Sequence, residues 1–90
     1  MTTKHLLISG RVQGVGYRMY MMETAAQLGV TGWVRNRRDG TVEAVVAGED
    51  HAVDSIIAWA RRGPRSAAVT EVKVADATGG FPGFEMLPTE

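Results

Sequence analysis

The sequence predicts an α+β domain in which two helices lie on one face of a mainly antiparallel sheet of four or five strands. Three observations lead there. Val53, Ile56, Ile57 and Ala60 recur at i, i+3, i+4 and i+7, the spacing of one helix face. Asp39-Gly40 separates two β-rich runs, where a tight hairpin turn needs positive φ. A glycine-dense turn, Gly10-Arg11-Val12-Gln13-Gly14-Val15-Gly16, carries the apolar Leu6-Leu7-Ile8 into a helix-forming stretch.

His5 to Val12 reads as a strand, with Leu6 and Ile8 on one face and Leu7 on the other. Tyr17 to Leu28 reads as a helix, because Tyr17, Met21, Ala25 and Leu28 form one stripe and Gly29 ends it. Thr31 to Arg37 and Thr41 to Ala47 are the two hairpin strands. The second helix has Glu49 and Asp50 at its start and Arg61 and Arg62 at its end, as the helix dipole favours. Gly63-Pro64 stops it. Val69 to Ala75 is a further strand, with Val72 and Val74 on one face. Thr78-Gly79-Gly80 and Pro82-Gly83 make a loop, and Phe84 and Met86 belong to a short last strand. The order β-α-β-β-α-β, with that fifth strand, is the order of a ferredoxin-like α/β sandwich.

Bulk composition narrows the function classes. Ninety residues, 44% apolar and 22% charged, make one globular domain spanning residues 1–90. A net charge of zero disfavours a dedicated nucleic-acid binder. With no cysteine there is no disulfide, thiol nucleophile or cysteine metal site, which fits a cytoplasmic protein. The longest apolar runs, such as Ile56 to Ala60, fall far short of the roughly 18 residues a membrane span needs. His5 and His51 lack ligand-spaced partners, so neither a metal nor a cofactor is expected. Trp33 and Trp59 read as packing residues, and Arg35, Arg37 and Arg38 as a solvated hairpin tip that could also steer an anionic substrate.

The turn before the first helix carries the chemistry. Small residues let backbone N–H groups turn inward, a helix N-terminus adds partial positive charge, and Arg18 supplies a fork of donors. Such a turn is usually only a turn. An arginine in the first helical turn opposes the dipole, however, and that misfit suggests placement for an anion. The segment fails as a dinucleotide fingerprint, having Met19 where a third glycine belongs, and fails as a Walker A loop for want of Gly-Lys-Ser/Thr. Asn36, three residues before Asp39, reads equally well as the opening of the hairpin turn or as a site amide that accepts from water and donates to a phosphoryl oxygen.

Two segments at this separation resemble the signatures of the acylphosphatase family. They are Gly10 to Arg18 and Gly32-Trp33-Val34-Arg35-Asn36, the latter continued by Asp39-Gly40-Thr41-Val42-Glu43. Tyr17 stands where phenylalanine is commoner, and the C-terminal Phe84 to Glu90 departs from the aromatic and basic ending of vertebrate members. The resemblance implies hydrolysis of the carboxyl–phosphate bond of a small acyl phosphate. It implies that Arg18 binds phosphate and acts in catalysis, and that Asn36 positions the attacking water. It further implies that the backbone of Val12, Gln13, Gly14, Val15, Gly16 and Tyr17 wraps the phosphoryl group or another anion. No metal, nucleic acid or membrane is expected to take part, and a free-standing monomer is expected.

Two rivals are weighed against this reading. A non-catalytic binding module of the same fold is one. An RNA-recognition domain shares the element order, but its glycine–aromatic signature belongs on a central strand after the first helix, whereas here it precedes that helix.

Overall fold

A computed structural model describes all of residues 1–90. The elements are β1 (Thr2–Arg11), α1 (Tyr17–Leu28), β2 (Thr31–Asn36), β3 (Val42–Gly48), α2 (Asp50–Arg62), β4 (Ala68–Asp76) and β5 (Phe84–Met86). The five strands form one sheet in the order β4-β1-β3-β2-β5. All neighbours are antiparallel except β2 and β5, which pair in parallel. With both helices on one face this is the ferredoxin-like α+β fold that the element order predicts.

The strands alternate because one face meets the helices. Leu6, Ile8, Val34, Val42, Ala44 and Val46 point inward and are fully buried. α1 packs over β2 and β5, and α2 over β4, β1 and β3. Tyr17, Met21 and Ala25 of α1 enter this core, while Leu28 is only half-buried. In α2 the buried stripe is Ala52, Val53, Ile56 and Ala60. Ile57, expected on that stripe, sits half-buried at its edge because Ala52 takes the inward position. Tyr17 is the largest fully buried side chain. Its hydroxyl donates to the Ala60 carbonyl at 2.8 Å, which satisfies its polar end. Burial pushes its pKa upward, so it is a structural phenol and not an acid at neutral pH.

The strand boundaries differ from the expected ones by one to three residues, most of all on β1. β1 begins at Thr2, because Thr2 and Thr3 pair with Gly48 and Ala47 at the far end of β3. It ends at Arg11, so Val12 belongs to the following loop. On β4, Val72 is buried, but Val74 is 38% exposed, because β4 is an edge strand of the sheet. No helix is long and apolar enough to cross a membrane.

Candidate active site

β1 and β2 both run antiparallel to β3, so their C-terminal ends reach the same end of the sheet. Ile8 lies opposite Val42, and Val42 lies opposite Asn36. Residues directly opposite in a ladder share a face, so Asn36 projects on the helix-covered side with the buried Ile8 and Val42. The loop of residues 12–16 leaves β1 at this same end and enters α1 on this same side. The fold therefore brings Arg18 and Asn36, 18 residues apart by their numbers, to one end of one face.

The loop is open in hydrogen-bonding terms. No main-chain N–H from Gln13 through Met19 donates to a carbonyl of the fold; the first that does is Tyr20, onto Gly16 at 3.1 Å. Nor does any side chain cap α1, whose first turn holds no acid. α2 by contrast has Asp50 in its first turn and Arg61 and Arg62 in its last. One helix of this protein thus obeys the dipole rule, and the other places an arginine against it. Gly14 and Gly16 take left-handed φ of 73° and 79°. A Cβ at Gly14 would meet no protein atom, so φ and not crowding by the protein calls for glycine there.

A cleft of about 170 Å³ opens here, lined by Val12, Gly14, Gly16, Tyr17, Arg18, Met19 and Met86. Five of the sequence-predicted residues, Val12, Gly14, Gly16, Tyr17 and Arg18, line it. The side chains of Gln13 and Val15 turn away. The Gln13 amide donates to the carbonyls of Arg37 and Thr41 at 2.7 and 2.9 Å. Val15 packs against the core, and its carbonyl accepts from Ser66 Oγ at 2.8 Å. The loop is thereby braced on both flanks, to the β2–β3 hairpin on one and to the turn before β4 on the other. Asn36 is outside the lining of the cleft, at the end of β2. Its Oδ1 is buried and has no hydrogen-bond partner. An orphaned buried acceptor costs about 1–3 kcal/mol and calls for an explanation.

The Asn36 backbone is held firmly by comparison. Its carbonyl accepts from Glu90 N–H at 3.1 Å, and the Val34 carbonyl accepts from Leu87 N–H at 2.9 Å. On the opposite face of the sheet Glu43 takes Arg35 Nε at 2.8 Å, Arg37 at 3.1 Å and His5 Nε2 at 2.7 Å. Arg35 also reaches Glu90 at 2.9 Å and lies 4.9 Å from the centre of the Trp33 ring. The expectation of a solvated arginine tip is thus corrected for Arg35, whose side chain keeps only 18% of its surface open beside Glu43. Arg37 pairs with Glu43 yet stays 39% exposed, and Arg38 is exposed. The local sequence contained no signal for these braces, since Gln13, Ser66 and Glu90 meet partners far along the chain.

Burial alone would raise the Glu43 pKa, but hydrogen bonds from His5, Arg35 and Arg37 hold it below its ordinary 4.5. A depressed native pKa stabilises the fold above the unfolded value and loses that contribution as pH falls through the native value. Glu43→Gln is therefore expected to cost about 1–2 kcal/mol at neutral pH. It should also blunt the loss of stability below pH 4.5 relative to the parent chain. Thermal unfolding from pH 7 down to pH 3 checks both; parallel curves for the two proteins would rule the cluster out as a source of acid sensitivity.

Fold and cleft together define a small α+β domain whose chain turn, with its free amides and one arginine, sits at the end of the sheet. Residues 4–86 match the acylphosphatase family. The acylphosphatase of Thiobacillus denitrificans is 54% identical over 85 residues, covering 94% of this chain and 96% of the relative. Among solved structures, acylphosphatases from Bacillus subtilis and Coxiella burnetii superpose with TM-scores of 0.92 at 31% and 34% identity. They cover 97% and 96% of this chain, and 99% and 92% of their own. The chain belongs to the acylphosphatase family.

Proposed function

We propose that this protein hydrolyses acyl phosphates to a carboxylate and inorganic phosphate. The carrying observation is the run of unpaired N–H groups from Gln13 to Met19, with Arg18 in its midst and no acid nearby to compete for it. These donors and the guanidinium hold the three phosphoryl oxygens, as helix N-termini and backbone concavities hold anions elsewhere. The Asn36 amide, with its acceptor unclaimed by the fold, turns onto a water and aims it in line at phosphorus. The water oxygen forms the new P–O bond as the bond to the acyl oxygen breaks. The electron pair leaves with the carboxylate, and the water proton passes to a phosphoryl oxygen.

A carboxylate is a weak base, so no general acid is required. Catalysis then consists of positioning plus electrostatic stabilisation. In this reading the cationic work belongs to Arg18 and the amides, no metal takes part, and the chain acts as a cytoplasmic monomer. The experiment is phosphate release from acetyl and benzoyl phosphate in ¹⁸O-labelled water, with and without a chelator. The expected result is turnover that ignores the chelator, with the label in phosphate. Label in the carboxylate would place attack at the carbonyl carbon and overturn the mechanism; absence of turnover would leave the non-catalytic binding module as the better reading.

A further inference from the structure

The larger concavity of the molecule is not the one at Arg18. A cleft of about 370 Å³ lies beside the loop, lined by Tyr20, Trp59, Pro64, Arg65 and Ser66. That volume is at the lower end of the roughly 300–1,000 Å³ usual for small-molecule sites. The cleft adjoins the loop at two points. Ser66 Oγ donates to the Val15 carbonyl at 2.8 Å. The Tyr20 ring lies where a Cβ on Gly16 would come within 3.3 Å of it. Tyr20 is 49% exposed, an unusual state for an aromatic ring that no hydrogen bond or core contact explains. Trp59 beside it is held from below by Tyr17, with ring centres 5.1 Å apart.

The position matters more than the size. The sheet order sets β4, and hence the turn of residues 64–67 that leads into it, on one side of β1; β2 and Asn36 lie on the other side. The Gln13 and Ser66 braces confirm those flanks, one tied to the β2–β3 hairpin and the other to the turn before β4. In an in-line displacement the entering and leaving oxygens lie on opposite sides of phosphorus. With water entering from the Asn36 flank, the acyl group leaves toward the Tyr20–Ser66 flank. We propose that this cleft is the acyl subsite and that it favours acyl phosphates with an aromatic acyl group. The ring stacks against Tyr20 and Trp59, and Arg65 stands on the side where the departing carboxylate gathers charge. This inference rests on the acyl phosphate reading above and names the substrate class that reading leaves open.

The test is the ratio of kcat/KM for benzoyl phosphate to that for acetyl phosphate, in the parent chain, Tyr20→Ala and Tyr20→Phe. Tyr20→Ala is expected to lower the ratio about tenfold, while Tyr20→Phe, which keeps the ring, holds it within twofold of the parent. An unchanged melting temperature for Tyr20→Ala shows that the variant is folded. A ratio within twofold of the parent in Tyr20→Ala would overturn the subsite while leaving the hydrolase intact. A parent chain that splits neither compound would overturn the hydrolase itself, and with it the subsite, so the two failures are told apart by the parent alone.

Discussion

Arg18→Ala is expected to slow acyl phosphate hydrolysis by about a thousandfold. Arg18 lines the loop cleft from the first turn of α1, where neither an acid nor a side-chain cap offsets its charge. A preorganised cation aimed at a phosphoryl group supplies about 4 kcal/mol of transition-state stabilisation, and each 1.36 kcal/mol is a factor of ten in rate. The loss should appear in kcat/KM together with weaker inhibition by inorganic phosphate, because the same charge holds the ground-state anion. Its stability should not fall, since an arginine at a helix N-terminus opposes the dipole. Steady-state kinetics paired with a melting curve gives the answer. A variant with near-parental turnover, or one that fails only because it unfolds, removes Arg18 from the chemistry.

Asn36→Ala is expected to separate catalysis from stability more sharply still. Turnover should drop about a hundredfold to a thousandfold, the cost usual for removing one placed polar group from a transition state. KM should change less than turnover, since the amide acts chiefly on the attacking water while the loop and Arg18 hold the phosphoryl group. The fold should be unharmed or slightly firmer, because the deleted Oδ1 is a buried acceptor that no protein group satisfies. Both effects in one variant would explain why the protein keeps a polar side chain beside Val42, at the end of a cross-strand row that continues through Ile8 and is otherwise apolar. If Asn36→Ala lost stability and kept its kcat, the amide would be a structural part of the hairpin.

The arrangement suits a small chain without histidine or cysteine chemistry. The glycines set the path of the loop, Gln13 and Ser66 fix it on either flank, and the residues on both sides of Asn36 are pinned to Glu43 from the opposite face of the sheet. Amides fixed by these braces incur little reorganisation when charge develops, which is where electrostatic catalysis gains most.

Much of this was legible in the order of residues because the signals are local. The α2 stripe, the Asp39-Gly40 turn and the glycine-dense segment before Tyr17 each declare themselves within a few positions, and the structure holds all three elements. The pair of family signatures added the expected roles of Arg18 and Asn36. The paths by which β1 starts at Thr2 and the 87–90 tail lies along β2 were not legible. Both depend on partners far along the chain, Gly48 for Thr2 and Val34 and Asn36 for the tail. Three residues, Phe84 to Met86, are too few for any periodicity to announce a parallel strand.

The amino-acid order by itself determined the elements, the fold class and the family, because backbone conformation and burial patterns are written in short-range spacing. The tertiary structure alone decided which groups brace the loop, that Asn36 has an unpartnered acceptor, and that an aromatic cleft opens on the opposite flank from it. Those are properties of side chains brought together across strands, and a hydrogen bond or a cavity between distant segments exists only once the chain has closed around it.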